Sequence, residues 1–174
     1  LKVNTEKSKV TSIFAQKEFK FLGFCLGRNG SGTYIRVHRK SLAKAKEKLK
    51  LLTKRNRGRN VRRIMQEVKE FIRGWIGYFR AADMKRTLMS WDKWLRRRLR
   101  MYIWKQWKKS KTKVANLRKL GIPVDQAYQW GNSRLGHWRI ASSPVLQCSI
   151  TNERLAAAGY FSILNYYESL HLCG

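Results

Sequence analysis

Residues 59–80 read RNVRRIMQEVKEFIRGWIGYFR, and this stretch decides the fold. Its apolar residues recur at steps of three and four, which places them along one continuous face of an α-helix. The basic residues fall largely on the opposite side, and Asn60 offers an N-cap oxygen just before the first apolar residue. The predicted buried face consists of Val61, Ile64, Met65, Val68, Phe71, Ile72, Trp75, Ile76 and Phe79.

Two glycines interrupt this predicted helix. Gly74 and Gly77 each cost about 1 kcal/mol relative to alanine in a helix interior. Such a cost usually has a packing reason, so we expect a neighbouring backbone to approach the helix closely at these positions. We also expect Trp75, at the centre of the apolar stripe, to be buried between the two neighbouring helices.

The charge of the chain indicates a polyanionic partner. The 174 residues include 39 Lys+Arg and 10 Asp+Glu, for a net charge of +29. Self-repulsion of this size opposes a compact state unless a polyanion shares the field. The chain is 43% hydrophobic, which excludes wholesale disorder. Residues 36–111 hold 27 of the basic but only 5 of the acidic side chains, so this segment is predicted to bind nucleic acid.

Several other classes of site are disfavoured. Cys25, Cys148 and Cys173 form no CxxC pair, so we expect no zinc site and no disulfide framework, as in a reduced cytoplasmic compartment. The three histidines are isolated in the sequence. No apolar run approaches the ~18–20 residues of a membrane span, so no membrane partner is expected. The acidic residues show no pairing for two-metal catalysis, and we assign no catalytic or metal-binding residue.

The first 36 residues are rich in β-branched and aromatic residues. Strands are predicted at Lys9–Phe14, Glu18–Leu26 and Thr33–Val37. The sequence RNGSG at 28–32 predicts a hairpin turn between the last two strands. Gly23 lies within the second predicted strand, which indicates a bulge or a close backbone approach.

Helical patterns fill the rest of the chain. Besides residues 59–80, long helices are predicted at Ser41–Lys54 and Lys85–Lys109, and the three together predict an antiparallel-type bundle. The fold class is therefore mainly α, with a small N-terminal antiparallel β-sheet and a three-helix bundle followed by short helices. The short helices are predicted at 114–120 (ending at Gly121), 123–130, 151–158 (ending at Gly159) and 162–170, with an aromatic loop at 136–139.

Basic side chains interleaved with aromatic ones are the strongest functional signal. The run RRRLR at 96–100 lies near two tryptophans of the third helix, and guanidinium groups match phosphate geometry while tryptophan can stack on bases. The apolar stripe directs Arg96, Arg97 and Arg100 to the flanks and outer side, and Arg98 to the core boundary. The candidate nucleic-acid-binding residues are Lys40, Lys44, Lys48, Arg55, Arg57, Arg59, Arg62, Arg63, Arg73, Arg96, Arg97, Arg100, Lys105, Lys108 and Arg139.

Segments along nearly the whole chain resemble the reverse transcriptases encoded by group II introns. NTEKSKV at 4–10, followed by FLGF at 21–24, resembles the last two sequence blocks of their palm. FIRGWIGYF at 71–79 is similar to their maturase-specific region, also called domain X or the thumb. The C-terminal part of the chain resembles the tails of bacterial members that lack an endonuclease domain. The resemblance lies in NLRKLG at 116–121, GHWR at 136–139 and NERL at 152–155.

The resemblance implies a domain organisation and a function. Residues 1–36 would end a palm, residues 37–110 would form the thumb, and residues 111–174 would form a small helical DNA-binding region. Members of the family hold their own intron RNA in its splicing-competent fold and copy RNA into DNA during intron mobility. The implied partners are group II intron RNA, an RNA template–DNA primer duplex and target DNA.

The resemblance also implies individual roles. Lys7 matches a palm lysine, and Phe21, Leu22, Gly23 and Phe24 match the primer grip. In the family, Mg²⁺ is held by palm aspartates in a Tyr-x-Asp-Asp motif, which this sequence lacks. We therefore expect the intact polymerase to use Mg²⁺, and this chain alone to bind no cofactor and to extend no primer.

Two alternative interpretations assign the chain to other classes of protein. The chain could be the thumb of a related reverse transcriptase without a splicing function, such as one from a retroelement or a defence system. A ribosomal or chromosomal basic protein is disfavoured, because seven tryptophans and a strand-rich start are unusual in that class. A cytoplasmic location in bacteria is expected in the favoured interpretation.

Overall fold

The structure, a computed structural model, describes residues 20–30 and 32–172. Over these residues the chain forms one two-stranded antiparallel sheet followed by nine helices, which confirms the predicted fold class. The strands are β1 (Phe24–Asn29) and β2 (Gly32–Val37). The helices are α1 (Arg39–Leu52), α2 (Val61–Phe79), α3 (Lys85–Gln106), α4 (Ser110–Lys119), α5 (Val124–Gly131), α6 (His137–Ile140), α7 (Pro144–Ser149), α8 (Asn152–Ala157) and α9 (Ile163–Leu172).

The N-terminal hairpin begins later than predicted. β1 and β2 pair from Phe24↔Val37 to Asn29↔Gly32, which confirms the predicted hairpin. Residues 21–24, however, form a tight turn in which Phe21 and Phe24 exchange both backbone hydrogen bonds, at 3.0 and 2.8 Å. Leu22 and Gly23 both have positive φ, 49° and 87°, so the chain reverses there and cannot continue a strand. The strand predicted at Lys9–Phe14 lies outside the described residues.

The close approach predicted at Gly23 is present. Its carbonyl accepts hydrogen bonds from the His38 N–H at 2.8 Å and the Ser41 hydroxyl at 3.3 Å. A Cβ at this position would lie only 3.0 Å from Ser41 Oγ and 3.1 Å from the Phe79 ring. The turn is thus held between the N-terminal end of α1 and the C-terminal end of α2.

Helix α2 confirms the deciding stretch, except at its glycines. The Asn60 side chain caps the helix by accepting a hydrogen bond from the Arg62 N–H at 2.8 Å. The predicted stripe faces the core, but Gly74 and Gly77 are exposed, and a Cβ on either would meet no atom within 4 Å. The expected packing reason for these glycines is therefore wrong, because both lie on the outer face of α2.

Trp75 is half-buried, and the expectation that it lies between two helices is also wrong. Its ring centroid is 5.3 Å from that of Trp91 on α3 and 4.9 Å from that of Phe79 on its own helix. The ring thus covers the edge of the α2–α3 contact, because its position on the helix is at the margin of the buried stripe.

Replacing Trp75 with alanine should still destabilise the fold. Large aromatic truncations in a core cost about 3–5 kcal/mol, and the half-exposed ring places this one near the lower limit. Urea unfolding of Trp75→Ala measures the loss, and Trp75→Phe, which keeps an aromatic ring against Trp91, should retain most of the stability. An unchanged unfolding midpoint in the alanine variant would contradict this packing role.

One hydrophobic core extends across the boundary that we predicted at residue 110. Helix α3 contacts α2, α6 and α9, and α9 also contacts α2. Leu88, Leu95 and Leu99 of α3 are fully buried. The same buried cluster includes residues of the C-terminal helices, namely Leu117, Ala127, Ile140, Ala141, Leu146, Ile150, Leu155, Ile163 and Tyr167.

Element ends in the second half follow the predictions in part. Gly121 and Gly159, with φ of +83° and +102°, follow the ends of α4 and α8 as expected. Helix α3 ends at Gln106 rather than at Lys109. The segment 136–139, predicted as a loop, instead forms most of the short helix α6, since Ile140 is buried and draws one helical turn onto α3. Helix α7 was not predicted.

Candidate nucleic-acid interface

The predicted nucleic-acid-binding residues differ widely in exposure. Arg100 is buried, and Arg57, Arg96 and Arg97 are half-buried. The remaining eleven are exposed: Lys40, Lys44, Lys48, Arg55, Arg59, Arg62, Arg63, Arg73, Lys105, Lys108 and Arg139. The exposed residues are the ones that could reach a polyanion, although Arg55, Arg59 and Arg63 also contact side chains within the protein.

A row of lysines marks the outer face of α1. Lys40, Lys44 and Lys48 are four residues apart and therefore lie on one side of the helix. All three are exposed, and none forms an ion pair within the described part of the chain. The buried Ala45 and Leu49 anchor the opposite side of α1. We call Lys40, Lys44 and Lys48 the α1 lysine row.

The basic loop between α1 and α2 is fixed to the end of α3. The Tyr102 hydroxyl accepts a hydrogen bond from the Arg59 N–H at 3.1 Å and donates one to the Arg59 carbonyl at 2.6 Å. Gln106 Nε2 donates to the same carbonyl at 2.7 Å. The loop therefore presents its side chains from a defined backbone.

One carboxylate organises three arginines beside this loop. Glu67 pairs with Arg57 at 2.6 Å, with Arg59, and with Arg63 at 3.5 Å. The hydrogen bond from Arg57 is the main reason that the pKa of Glu67 lies below its usual value. Its stabilising contribution is therefore present above the ordinary glutamate pKa and is lost as the pH falls through the lowered one. Arg57, which has the least exposed side chain of the three, is mainly a structural partner of Glu67.

Four basic side chains from four elements converge near the start of α6. Arg55 Nη1 lies 3.3 Å from His137 Nδ1, and since a guanidinium can only donate, the imidazole is neutral with its proton on Nε2. Burial, and then the charges of Arg55, Lys105 and Lys113, lower the pKa of His137. Lys113 also lies over the Trp104 ring, 4.7 Å from its centroid. We call Arg55, Lys105, Lys113 and His137 the His137 cluster.

The arginine run of α3 is directed inward or toward neighbouring elements. Arg98 donates to Thr53 Oγ1 at 2.5 Å, to the Thr53 carbonyl at 3.1 Å and to the Lys50 carbonyl at 3.0 Å, so it closes the end of α1. Arg100 is only 8% exposed and donates to the Ile150 carbonyl at 2.7 Å and to Asn152 Oδ1 at 3.0 Å. The expectation that Arg100 lies on the outer side is wrong, because the C-terminal helices cover that side of α3.

The other two arginines of the run are also occupied. Arg96 pairs with the buried Asp92 at 2.6 Å. Arg97 stacks on the Trp138 ring, 3.8 Å from its centroid, and donates to the Trp138 carbonyl at 2.9 and 3.3 Å. The run therefore joins the three-helix bundle to the C-terminal helices.

Comparison with known proteins identifies the middle of the chain. Residues 42–121, a little under half of the chain, match the family described as the group II intron, maturase-specific domain. Residues 42–121 are thus similar to a maturase-specific domain. This similarity supports a maturase function in splicing and group II intron RNA as the partner. No curated protein matches the chain.

The maturase-specific domain corresponds to recognisable structural units. It begins within α1, contains α2, α3 and α4, and ends at Gly121, the left-handed residue that terminates α4. It includes Lys44 and Lys48 of the α1 lysine row, the basic loop and three members of the His137 cluster. Helices α5 to α9 lie beyond the matched residues yet share the core of the domain.

Sequence reasoning missed two members of the His137 cluster. Lys113 lies just before the helix predicted at 114–120 and carries no motif, so only its position on α4, beside Trp104, reveals it. His137 is isolated in sequence but adjacent to Trp138 and Arg139, and this grouping of His, Trp and Arg was the available signal. Phe21 and Leu22, for which a primer-grip role is predicted, are exposed at the N-terminal turn, where the Tyr78 hydroxyl donates to the Leu22 carbonyl at 2.9 Å. Lys7 lies outside the described residues.

Two kinds of feature are absent from the described part of the chain. In residues 20–30 and 32–172, no three or more His, Cys, Asp or Glu side chains form a group that could hold a metal ion. Within the same ranges, no helix has the length and apolar character to cross a membrane. Cys25 and Cys148 are both unpaired thiols.

The His137 cluster predicts a pH-dependent affinity for RNA. A phosphate among these cations would favour the imidazolium form, so binding would take up a proton. Because the unbound pKa is lowered from 6.5, affinity should rise as the pH falls from about 6.5 toward that lowered pKa. Because the folded state lowers the pKa of His137, the protein without RNA should lose folding stability as the pH falls through the same range.

Binding of RNA from pH 8 to pH 5 at constant salt would measure this effect. His137→Gln should remove the pH dependence, whereas His171→Gln, a change at the exposed histidine of α9, should leave it intact. A pH dependence that persists in His137→Gln would contradict the assignment.

Proposed function

We propose that this chain binds group II intron RNA through its maturase-specific domain and stabilises the fold in which that RNA splices. The match of residues 42–121 carries the proposal, and the exposed cations of α1, α2 and the loop between them support it. The RNA would perform the splicing chemistry, while the protein would neutralise phosphates that the folded RNA brings close together.

We further propose that the same bundle is the thumb of a reverse transcriptase and grips an RNA template–DNA primer duplex. The resemblance of FLGF at 21–24 to a primer grip supports this, together with the position of the turn against the ends of α1 and α2. Target DNA is the proposed partner of the C-terminal region, in which Arg118, Lys119, Arg134 and Arg139 are exposed. These roles would belong to intron mobility.

The decisive experiment compares the splicing of a group II intron RNA with and without the chain. The Mg²⁺ concentration is chosen so that the RNA alone splices slowly. We expect the chain to accelerate splicing and to bind the intron RNA more tightly than an unrelated structured RNA of the same length. Equal binding of the two RNAs with no acceleration would contradict the maturase proposal. Such a result, with tight binding of an RNA–DNA duplex, would favour the thumb of a non-splicing reverse transcriptase.

A further inference from the structure

A cleft between α1, α3 and α6 has no role in the function described so far. Its volume is about 380 Å³, within the range of ~300–1,000 Å³ typical of small-molecule sites. Helix α1 contributes Lys46, Glu47 and Lys50, and the opposite wall consists of Trp94 and Arg98 of α3 and Trp138 of α6. Two indole rings therefore line a cleft that also contains three basic groups and one acidic group.

Trp138 is exposed but held in place. It is 38% exposed to solvent, which is unusual for a tryptophan in a protein with a continuous core. The Arg97 guanidinium covers one ring face, and its two hydrogen bonds to the Trp138 carbonyl fix the backbone of the same residue. A ring restrained in this way is a preorganised platform, because little side-chain entropy remains to be lost on binding.

The other walls are also ordered. Arg98 lies over the Trp94 ring, 5.1 Å from its centroid, and its hydrogen bonds to Thr53 and Lys50 keep it there. Lys46 lies over the same ring at 5.6 Å. Glu47 is more than half exposed and is 3.6 Å from Lys50, so its carboxylate remains accessible to a donor from solvent.

We propose that this cleft binds one unpaired nucleobase that carries an exocyclic amino group, stacked on Trp138. The inference rests on the proposed RNA-binding function and adds a site that reads a base. The base plane would stack on the indole, and its amino group would donate a hydrogen bond to the Glu47 carboxylate. Lys46 and Lys50 would contact the phosphates on either side of the base.

The chemistry selects among bases. Adenine, cytosine and guanine present amino donors, whereas uracil presents carbonyl acceptors that would face the carboxylate. Unpaired adenosine or cytidine should therefore bind more tightly than uridine. A perfectly paired helix should not use the cleft, since its bases are stacked on one another and cannot reach Trp138.

The test uses the whole chain and three probes: nine-nucleotide oligoadenylate, oligouridylate of the same length, and an RNA duplex without unpaired bases. Trp138→Ala should weaken oligoadenylate binding by about 5- to 150-fold, the range expected for one lost base–aromatic stack. The slope of affinity against salt should not change, because a stack releases no counterions. Duplex binding should remain as in the unchanged chain. Trp138→Phe should restore most of the lost affinity.

Two matched variants complete the design. Tyr128→Ala removes an aromatic residue that is 55% exposed on α5, away from the cleft, and should leave all three affinities unchanged. Glu47→Gln should bring the ratio of oligoadenylate to oligouridylate affinity toward one. Equal losses in Trp138→Ala and Tyr128→Ala, or a preference for uridylate in the unchanged chain, would overturn the proposal. If intron RNA binding persists while these variants have no effect, the nucleobase site fails and the proposed function stands.

Discussion

Asp92→Ala should destabilise this protein more than any single exposed substitution. Asp92 is the only acidic residue of α3 and is 4% exposed. Its carboxylate accepts hydrogen bonds from Arg96 at 2.6 Å, the Tyr160 hydroxyl at 2.5 Å, the Ile163 N–H at 3.1 Å and the Ser162 hydroxyl at 3.2 Å. Removing one member of a buried charged network costs about 3–5 kcal/mol, because the remaining groups stay buried without partners.

This loss is large against a typical total stability of ~5–15 kcal/mol. Urea unfolding measures the difference in the free energy of unfolding. Hydrogen exchange should show the start of α9 opening first, since three of the four donors belong to residues 160–163. Burial, reinforced by the Asp92 carboxylate, raises the pKa of Tyr160, so its hydroxyl remains a donor throughout the accessible pH range.

A matched control is Asp125→Ala, which removes an exposed acid from the first turn of α5. It should change stability by less than about 0.5 kcal/mol. Asp92→Asn, which keeps the shape but loses the charge, should fall between the two. A free energy of unfolding for Asp92→Ala within about 1 kcal/mol of the original would show that the network contributes little to stability.

The second large effect is expected from the α1 lysine row. Replacing Lys40, Lys44 and Lys48 with alanine removes three exposed cations without breaking an ion pair in the described residues. Each lost phosphate contact lowers the log–log salt slope by about 0.7–0.9, or roughly 2–2.7 in total. At 0.15 M salt this corresponds to a loss of about 50- to 150-fold in affinity for RNA.

The α1 row is a better test of phosphate binding than Arg96 and Arg97, because those two arginines also hold Asp92 and Trp138 in place. Filter binding across a salt series, with intron RNA and an unrelated RNA, gives both slope and affinity. Phosphate contacts carry no sequence information, so the two RNAs should be affected alike. The control replaces Arg118, Lys119 and Arg134, the same loss of charge among exposed residues of the C-terminal half. Equal changes in the two triple variants would show that net charge alone, and not the α1 row, determines binding.

Local patterns predicted most of the elements and the class of partner. The apolar stripe of residues 59–80, the Asn60 cap and the glycines that end α4 and α8 all act through neighbours within a few residues, so sequence alone reveals them. The hairpin at 28–32 follows the same logic. The tight turn at 21–24 was missed because Leu22, a residue that rarely adopts positive φ, occupies its first central position.

The sequence by itself determined that this chain folds into a helical bundle with a hairpin and carries enough positive charge to require a polyanion. The tertiary structure alone decided which cations remain available for that partner. The sequence pattern placed Arg96, Arg97 and Arg100 on the surface and Arg98 at the core boundary, yet all four contact residues more than forty positions away or a buried carboxylate. Helices α6 to α9 pack on α3 and cover a face of it that would otherwise be exposed. The helical periodicity of a sequence shows which residues share a face, but it does not show which face a distant segment will cover.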